Sequence, residues 1–100
     1  MILVLSEAAA LDLQEAYDFI AEDSPTAAEH FLRHVRIAFD LLSSTLVRGR
    51  AVTLKGGLRV RAWSISPYCI YHQTTTSELQ VLRIYHQARR PLERRPRRKP

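Results

Sequence analysis

Apolar residues recur at helical spacing through the first half of the chain. Leu13, Ala16, Tyr17 and Ile20 stand at positions i, i+3, i+4 and i+7 of one segment. This spacing predicts an amphipathic helix that rests on a core. The same helix would turn a set of acidic residues toward solvent, namely Asp12, Glu15, Asp18 and Glu22. A second helix ending near Thr45 is predicted by the apolar stripe of Ala28, Phe31, Val35, Ala38, Phe39 and Leu42.

Short polar segments mark where these helices begin. Ser6 follows the apolar run Leu3 to Leu5, which reads as a short strand, and it is suited to cap the first helix. Asp23-Ser24-Pro25 ends that helix and starts the next, because Ser24 can cap and Pro25 suits the first helical position. Two helices with so short a link are expected to pack as an antiparallel hairpin.

The second half of the chain changes to the alternating pattern of strands. From residue 58 to residue 65, Leu58, Val60 and Ala62 fall on one side and Arg59, Arg61 and Trp63 on the other. Further strands are predicted over 68–74 and 79–86, with turns at Ser66-Pro67 and at 75–77. In the last strand, Arg83 and Tyr85 would share one face, and Leu82, Ile84 and His86 the other. The pattern predicts an α+β fold of order β-α-α-β-β-β, with the helical hairpin packed on a twisted antiparallel sheet.

Composition narrows the class of protein. With 100 residues and 46% apolar content, the chain is expected to form a single domain over residues 1–88. Its one cysteine, Cys69, cannot form an internal disulfide, which fits a reducing compartment. The apolar N-terminus lacks a basic lead and is too short for a signal peptide, so a cytoplasmic location without membrane contact is expected.

Charge is divided unequally along the chain. Residues 1–45 carry two basic and eight acidic side chains, whereas residues 46–100 carry thirteen basic and two acidic ones. Nucleic acid or an acidic partner is therefore expected to approach the C-terminal half. Residues 89–100 hold seven basic side chains and three prolines, and they are predicted to form a mobile tail that contacts nucleic acid without sequence specificity or has no partner.

A few side chains of the predicted sheet suggest chemistry. Arg59, Arg61 and Arg83 are candidates to hold a phosphate, and His86 or His72 is a candidate to move a proton, as a metal-free ribonuclease requires. The spacing of His30 and His34 would suit zinc, but no third ligand stands nearby. No metal or cofactor site is predicted.

The order of short motifs resembles the RelE/ParE toxin superfamily, and within it the ParE branch. Gly57-Leu58-Arg59 opens one strand, and Leu82-Arg83-Ile84-Tyr85-His86 forms another with the basic ending Ala88-Arg89-Arg90. The resemblance implies a toxin of a type II toxin–antitoxin system that inhibits DNA gyrase without being an enzyme. It also implies neutralisation by a ParD-like antitoxin, in a hetero-oligomer whose antitoxin lies across the groove between hairpin and sheet.

On this resemblance, two surfaces are expected. The target-binding residues would be Arg83, Tyr85, His86, Arg89 and Arg90. The antitoxin-binding residues would be Tyr17, Ile20, Phe31, Arg59 and Trp63.

Two alternatives remain open at this point. The first is a RelE-type, ribosome-dependent messenger-RNA endonuclease that uses Arg59, Arg61, Arg83 and His86. Gln87 replaces the tyrosine that follows the histidine in one ribonuclease branch, and Cys69 replaces a common arginine. The second is a degenerate member of the superfamily that only binds its partner.

Overall fold

The structure is a computed structural model, and it describes residues 1–89 and 91–94. Its elements follow the chain as β1 (Ile2–Leu5), α1 (Glu7–Asp23), α2 (Pro25–Ser43), β2 (Arg50–Thr53), β3 (Arg59–Ile65), β4 (Tyr68–Thr74) and β5 (Glu78–His86). The strands form a five-stranded sheet of order β1-β5-β4-β3-β2. The predicted α+β fold with a helical hairpin on a sheet is confirmed.

The sheet differs from the prediction in two respects. Arg50–Thr53 forms an additional edge strand, β2, which pairs antiparallel with β3. Two of its four residues are exposed and it shows no alternation, so only its pairing with β3 reveals it as a strand. The second difference is that β1 lies parallel to β5, so the sheet is mixed rather than antiparallel. No turn joins these two strands, and a local apolar pattern does not encode strand direction.

The helix caps lie where the sequence predicts them. Ser6 Oγ accepts a hydrogen bond from the Ala9 backbone N–H at 3.0 Å, and Ser24 Oγ accepts one from Ala27 at 3.1 Å. Ser24 is the only residue between the two helices. Such side-chain caps satisfy backbone donors that the first helical turn leaves unpaired. None of the described helices is long and apolar enough to cross a membrane.

Two apolar clusters lie on opposite faces of the sheet. The larger fills the space between hairpin and sheet, and it includes Phe31, Val35, Ile70 and Val81. The smaller lies on the other face around Cys69 and Tyr71. Burial of Cys69 raises the pKa of its thiol, so the thiol form is favoured.

A β-bulge changes the faces of the last strand. Tyr71 pairs with Arg83 and the adjacent His72 pairs with Val81, which leaves Leu82 as an extra residue on β5. Leu82 consequently packs on the smaller cluster with Tyr85, whereas Ile84 belongs to the larger one. The prediction that Leu82 and Ile84 share a face is wrong, because the bulge shifts the alternation by one residue.

Part of the predicted tail packs against the sheet. The backbone N–H of Lys55 donates to Leu92 O at 2.8 Å, and that of Arg94 donates to Thr53 O at 2.6 Å. Glu93 accepts hydrogen bonds from both terminal nitrogens of Arg50 at 2.8 Å and from the Tyr71 hydroxyl at 2.7 Å. Residues 91–94, the C-terminal clamp, thus differ from the mobile tail expected from residue 89, because Leu92 and Glu93 find partners on the sheet. Residues 90 and 95–100 lie outside the described part of the chain.

Candidate functional site

An open apolar groove runs between α2 and strand β3. It consists of two adjoining cavities of about 350 and 380 Å³, which share His34, Ile65 and Ser66. We call it the hairpin groove. One end is lined by Phe19, Ile20, His30, Phe31 and Tyr68, and the other by Ile37, Ala38, Leu41 and Trp63.

Three of the five residues predicted to bind the antitoxin meet in this groove. Ile20 and Trp63 are partly buried against the main core and line the groove wall. Phe31 is 7% exposed, and its ring lies 5.0 Å from that of Tyr68, so it forms part of the groove floor. These contacts fix the floor, because packed rings cannot move without opening the core.

The other two predicted residues lie elsewhere. The Tyr17 hydroxyl donates to Glu29 and thereby links the two helices, and this hydrogen bond raises the pKa of Tyr17. Arg59 shares a strand with Trp63 but lies four residues away, which corresponds to about 13 Å along β3. It lines a separate cavity over β2, β3 and β4. The structure therefore does not bring Tyr17 or Arg59 into the hairpin groove.

Two groove residues were missed by sequence reasoning. Phe19 is 66% exposed and Ile37 is 50% exposed, and both line the groove. Each lies outside the helical stripe that defines the core, and that stripe predicts buried positions only. A large apolar residue beside a complete core stripe is a signal that could have found them.

The guanidinium of Arg83 is paired with the carboxylate of Asp12. Its Nε and Nη2 atoms donate to the carboxylate oxygens of Asp12 at 2.7 and 2.9 Å. Asp12 also accepts from the Ile84 backbone N–H at 3.0 Å, and its side chain is only 9% exposed. The hydrogen bonds with Asp12 raise the pKa of Arg83. The expectation that Asp12 faces solvent is wrong, because Arg83 and Ile84 draw this carboxylate onto the sheet.

The remaining predicted target-binding residues cluster where β5 ends. The imidazole of His86 packs edge-on against the ring of Tyr68, with 5.0 Å between centroids, and His86 lines one end of the hairpin groove. The backbone N–H of Arg89 donates to His86 O at 3.1 Å, which holds Arg89 in the turn beyond the strand. The ring of Tyr85 lies under the Arg83 guanidinium, with 5.2 Å between the ring centroid and Arg83 Cζ. Arg90 lies outside the described residues.

Two of the four residues of the nuclease alternative, His86 and Arg83, are not free to share a phosphate site with Arg61. Arg61 lies opposite His72, which pairs with Val81, whereas His86 stands five residues further along β5. Because Leu82 is the extra residue of the bulge and His86 pairs with Tyr68, this register separates Arg61 from His86 by four positions, or about 13 Å along the strand direction. Arg83 is bound to Asp12, so a shared phosphate site would require the ion pair to open. His72 is 3% exposed, and burial together with the nearby Arg61 charge lowers its pKa.

Comparisons with known proteins agree with this architecture. The family model described as the ParE toxin of type II toxin–antitoxin system, parDE, matches residues 3–91. Among solved structures, the chain is similar to one described as a chromosomal ParDE TA system from P. aeruginosa. That similarity has a TM-score of 0.68 and 24% sequence identity, and it covers 86% of this chain and 95% of the other. No curated protein matches the chain.

The solved structure supports the fold, and the family model supports the family. The resemblance inferred from the Gly-Leu-Arg and Leu-Arg-Ile-Tyr-His motifs is thereby confirmed. Because the family model spans residues 3–91, the chain belongs to the ParE toxins of type II toxin–antitoxin systems.

Proposed function

We propose that the chain inhibits DNA gyrase and that a ParD-like antitoxin neutralises it by occupying the hairpin groove. The proposal that an antitoxin binds the chain rests on the open apolar groove with Phe19 and Ile37 at its rim. Exposed apolar side chains of this size beside a groove are typical of a surface that a partner covers.

The dimensions of the groove favour an amphipathic segment of the antitoxin. Its α2 wall extends from Ala27 to Leu41, a distance of about 21 Å at the helical rise per residue. This length matches about four turns of a helix, which would place apolar anchors at i, i+3, i+4 and i+7 into the groove. A stable complex is expected to bury more than about 1,200 Å² in total, so the antitoxin would extend beyond the groove.

The gyrase-binding surface is proposed at the end of β5. Tyr85, His86, Arg89 and Arg90 are the residues expected to touch the target. Tyr85, His86 and Arg89 lie at one end of the sheet, and Arg90 follows them in the sequence of the basic half of the chain. Arg83 would support this surface from behind, through its ion pair with Asp12 and its contact with the Tyr85 ring.

Antitoxin binding is tested by substitutions at the groove rim. Ile37→Asp and Phe19→Asp should each weaken the complex with the product of the neighbouring antitoxin gene by about 30-fold or more, because each places a charge in a desolvated interface. Isothermal titration calorimetry with the purified partner measures the effect. Leu11→Asp is the matched control, because Leu11 is 59% exposed on α1 and does not line the groove.

If the antitoxin binds the groove variants and the wild-type chain with equal affinity, it does not bind in this groove. A harmless chain that elutes alone in the presence of the neighbouring gene product would overturn the proposed neutralisation altogether.

A further inference from the structure

A cavity of about 360 Å³ lies at the end of the sheet opposite the Ser66-Pro67 turn. Its walls come from the end of α2, the loop after it, and strands β3, β4 and β5. It shares no lining residue with the hairpin groove. Its volume falls within the range of small-molecule sites, about 300–1,000 Å³. We call it the His72 pocket, after the histidine in its wall.

His72 is the unexplained group of this pocket. The side chain is 3% exposed, and neither Nδ1 nor Nε2 has a hydrogen-bond partner among the described residues. A buried polar group without a partner costs about 1–3 kcal/mol, so such groups are rare and mark places where a ligand or water completes the site. A neutral imidazole offers one donor and one acceptor.

The loop beside His72 is shaped to approach it closely. Gly49 lies against the imidazole, and a Cβ atom at this position would stand 2.8 Å from His72 Nε2 and 2.5 Å from Ala62 O. Glycine is therefore required here, because any side chain would push the histidine or the strand away. The Gly49 carbonyl accepts a hydrogen bond from Arg61 Nη1 at 2.9 Å, which holds the guanidinium at the pocket.

The charge around the pocket is positive and unbalanced. Arg48 and Arg61 both line it, and neither forms an ion pair with a described residue. The described lining residues include no carboxylate. Thr45 and Thr74 add hydroxyl groups to the same wall, and Thr45 adopts the left-handed conformation with φ of 61°, which is unusual for a β-branched residue.

We propose that the His72 pocket binds the phosphate group of a nucleotide, carried by a free nucleotide or by the end of a nucleic acid strand. Two guanidinium groups, an imidazole and two hydroxyls approach from different elements, which suits a tetrahedral oxyanion with several acceptor oxygens. The apolar wall formed by Leu42 and Leu79 leaves room for a base or sugar. This site is independent of the proposed antitoxin and gyrase surfaces.

The test uses the full chain and the imidazole signals of its four histidines. Titration with inorganic phosphate and with AMP should shift the His72 signals in two-dimensional NMR, and leave those of His30 and His34 unchanged. Arg61→Gln should weaken AMP binding about tenfold or more, because one charge-assisted hydrogen bond is lost. Arg59→Gln is the matched control, since it removes the same charge two residues earlier on β3 but outside the pocket. Circular dichroism verifies that both variants fold.

The comparison of ligands identifies the source of the phosphate. Tighter binding of AMP than of a 5′-phosphorylated oligonucleotide assigns the site to a free nucleotide, and the reverse assigns it to a strand end. Absence of any His72 shift at millimolar phosphate and AMP would overturn the proposal. Equal affinity for adenosine and AMP would also overturn the proposal. So would an equal loss of AMP affinity in Arg59→Gln and Arg61→Gln.

Discussion

At the scale of single residues, Asp12 shows how a distant partner decides the role of a side chain. It belongs by sequence to the same acidic set as Glu15 and Glu22 on α1. The structure separates it from them, because its carboxylate accepts three hydrogen bonds from Arg83 and Ile84 across 71 and 72 residues of chain. With 9% exposure of its side chain, Asp12 is shielded from the water that weakens ordinary surface ion pairs.

Asp12→Asn should lower the free energy of unfolding by about 1–3 kcal/mol, because the charge-assisted hydrogen bonds from Arg83 become weaker and one amide hydrogen faces a donor. Urea unfolding monitored by circular dichroism measures the change. Glu22→Gln is the control, since it removes the same charge from the same helix at a position with no ion pair to residues 1–89 or 91–94. Indistinguishable midpoints for the two variants would mean that the Asp12–Arg83 pair does not stabilise the fold.

At the scale of elements, the C-terminal clamp joins residues far apart in the chain. Leu92 packs on the smaller apolar cluster, and Glu93 bridges Arg50 on β2 and Tyr71 on β4. The Arg50–Glu93 pair is half-exposed on the arginine side, so by itself it contributes less than about 1 kcal/mol. The contact of Leu92 and the hydrogen bond of the nearly buried Tyr71 hydroxyl are the larger contributions.

Deletion of residues 91–100 should therefore destabilise the chain by about 2–4 kcal/mol relative to a chain that ends at Arg94. The comparison isolates the clamp, because both chains lack residues 95–100. Thermal and urea unfolding of the two chains measure the difference. Identical stabilities would show that the clamp only lies on the sheet without supporting it.

The difference in stability between these two chains should depend on pH. The hydrogen bonds from Arg50, and next from Tyr71, lower the pKa of Glu93 below its ordinary value of 4.5. The stabilisation by its carboxylate is therefore fully present above pH 4.5 and is lost as the pH falls through the lowered pKa. The stability difference between the chains should shrink in that acidic range and stay constant near neutrality.

Elements that are determined by local interactions were predictable from the sequence. Ser6, Ser24 and Pro25 fix the helix boundaries through local hydrogen bonds and backbone geometry, and the apolar stripes fix the buried faces. Strand β2 and the bulge at Leu82 were not predictable, since both depend on neighbours that the local pattern does not reveal. Ile20, Phe31 and Trp63 of the groove were among the predicted partner-binding residues, whereas Phe19 and Ile37 were missed because they lie outside the helical stripes that define the core.

At the scale of the whole molecule, the two layers carry opposite charge. The hairpin belongs to the half with eight acidic and two basic side chains, and the sheet beyond β1 belongs to the half with thirteen basic and two acidic ones. Association with a polyanionic complex such as gyrase on DNA should therefore orient the molecule with the sheet toward the target. Target binding then depends on where a charge lies and not only on the net charge of +5.

Arg89→Glu should weaken inhibition of gyrase supercoiling by about tenfold or more, whereas Arg33→Glu on α2 should change it little, although both variants lose the same charge. His86→Gln should be milder than Arg89→Glu, because a gyrase inhibitor needs no proton transfer. Supercoiling assays with purified protein measure inhibition, and induction in cells should raise a DNA-damage response. Arg83 is a poorer test, since its reversal also breaks the pair with Asp12.

A different pattern would assign a different activity. Codon-positioned cleavage of ribosome-bound messenger RNA that falls by about 10²–10⁴ in His86→Gln, with gyrase unaffected, would identify an endonuclease. Antitoxin binding without effects on gyrase or messenger RNA would identify a binding protein that is not toxic.

The place of β5 in the sheet has a consequence for how the protein is made. It follows the other four described strands in the chain, yet it lies between β1 and β4, and its Arg83 donates to Asp12 of α1. A nascent chain without Glu78–His86 has no partner for β1 and no closed core, because these long-range contacts cannot form in its absence. Folding of this domain is thereby delayed until Glu78–His86 has been synthesised. A truncated product, from a premature stop or a broken message, cannot assemble the toxin.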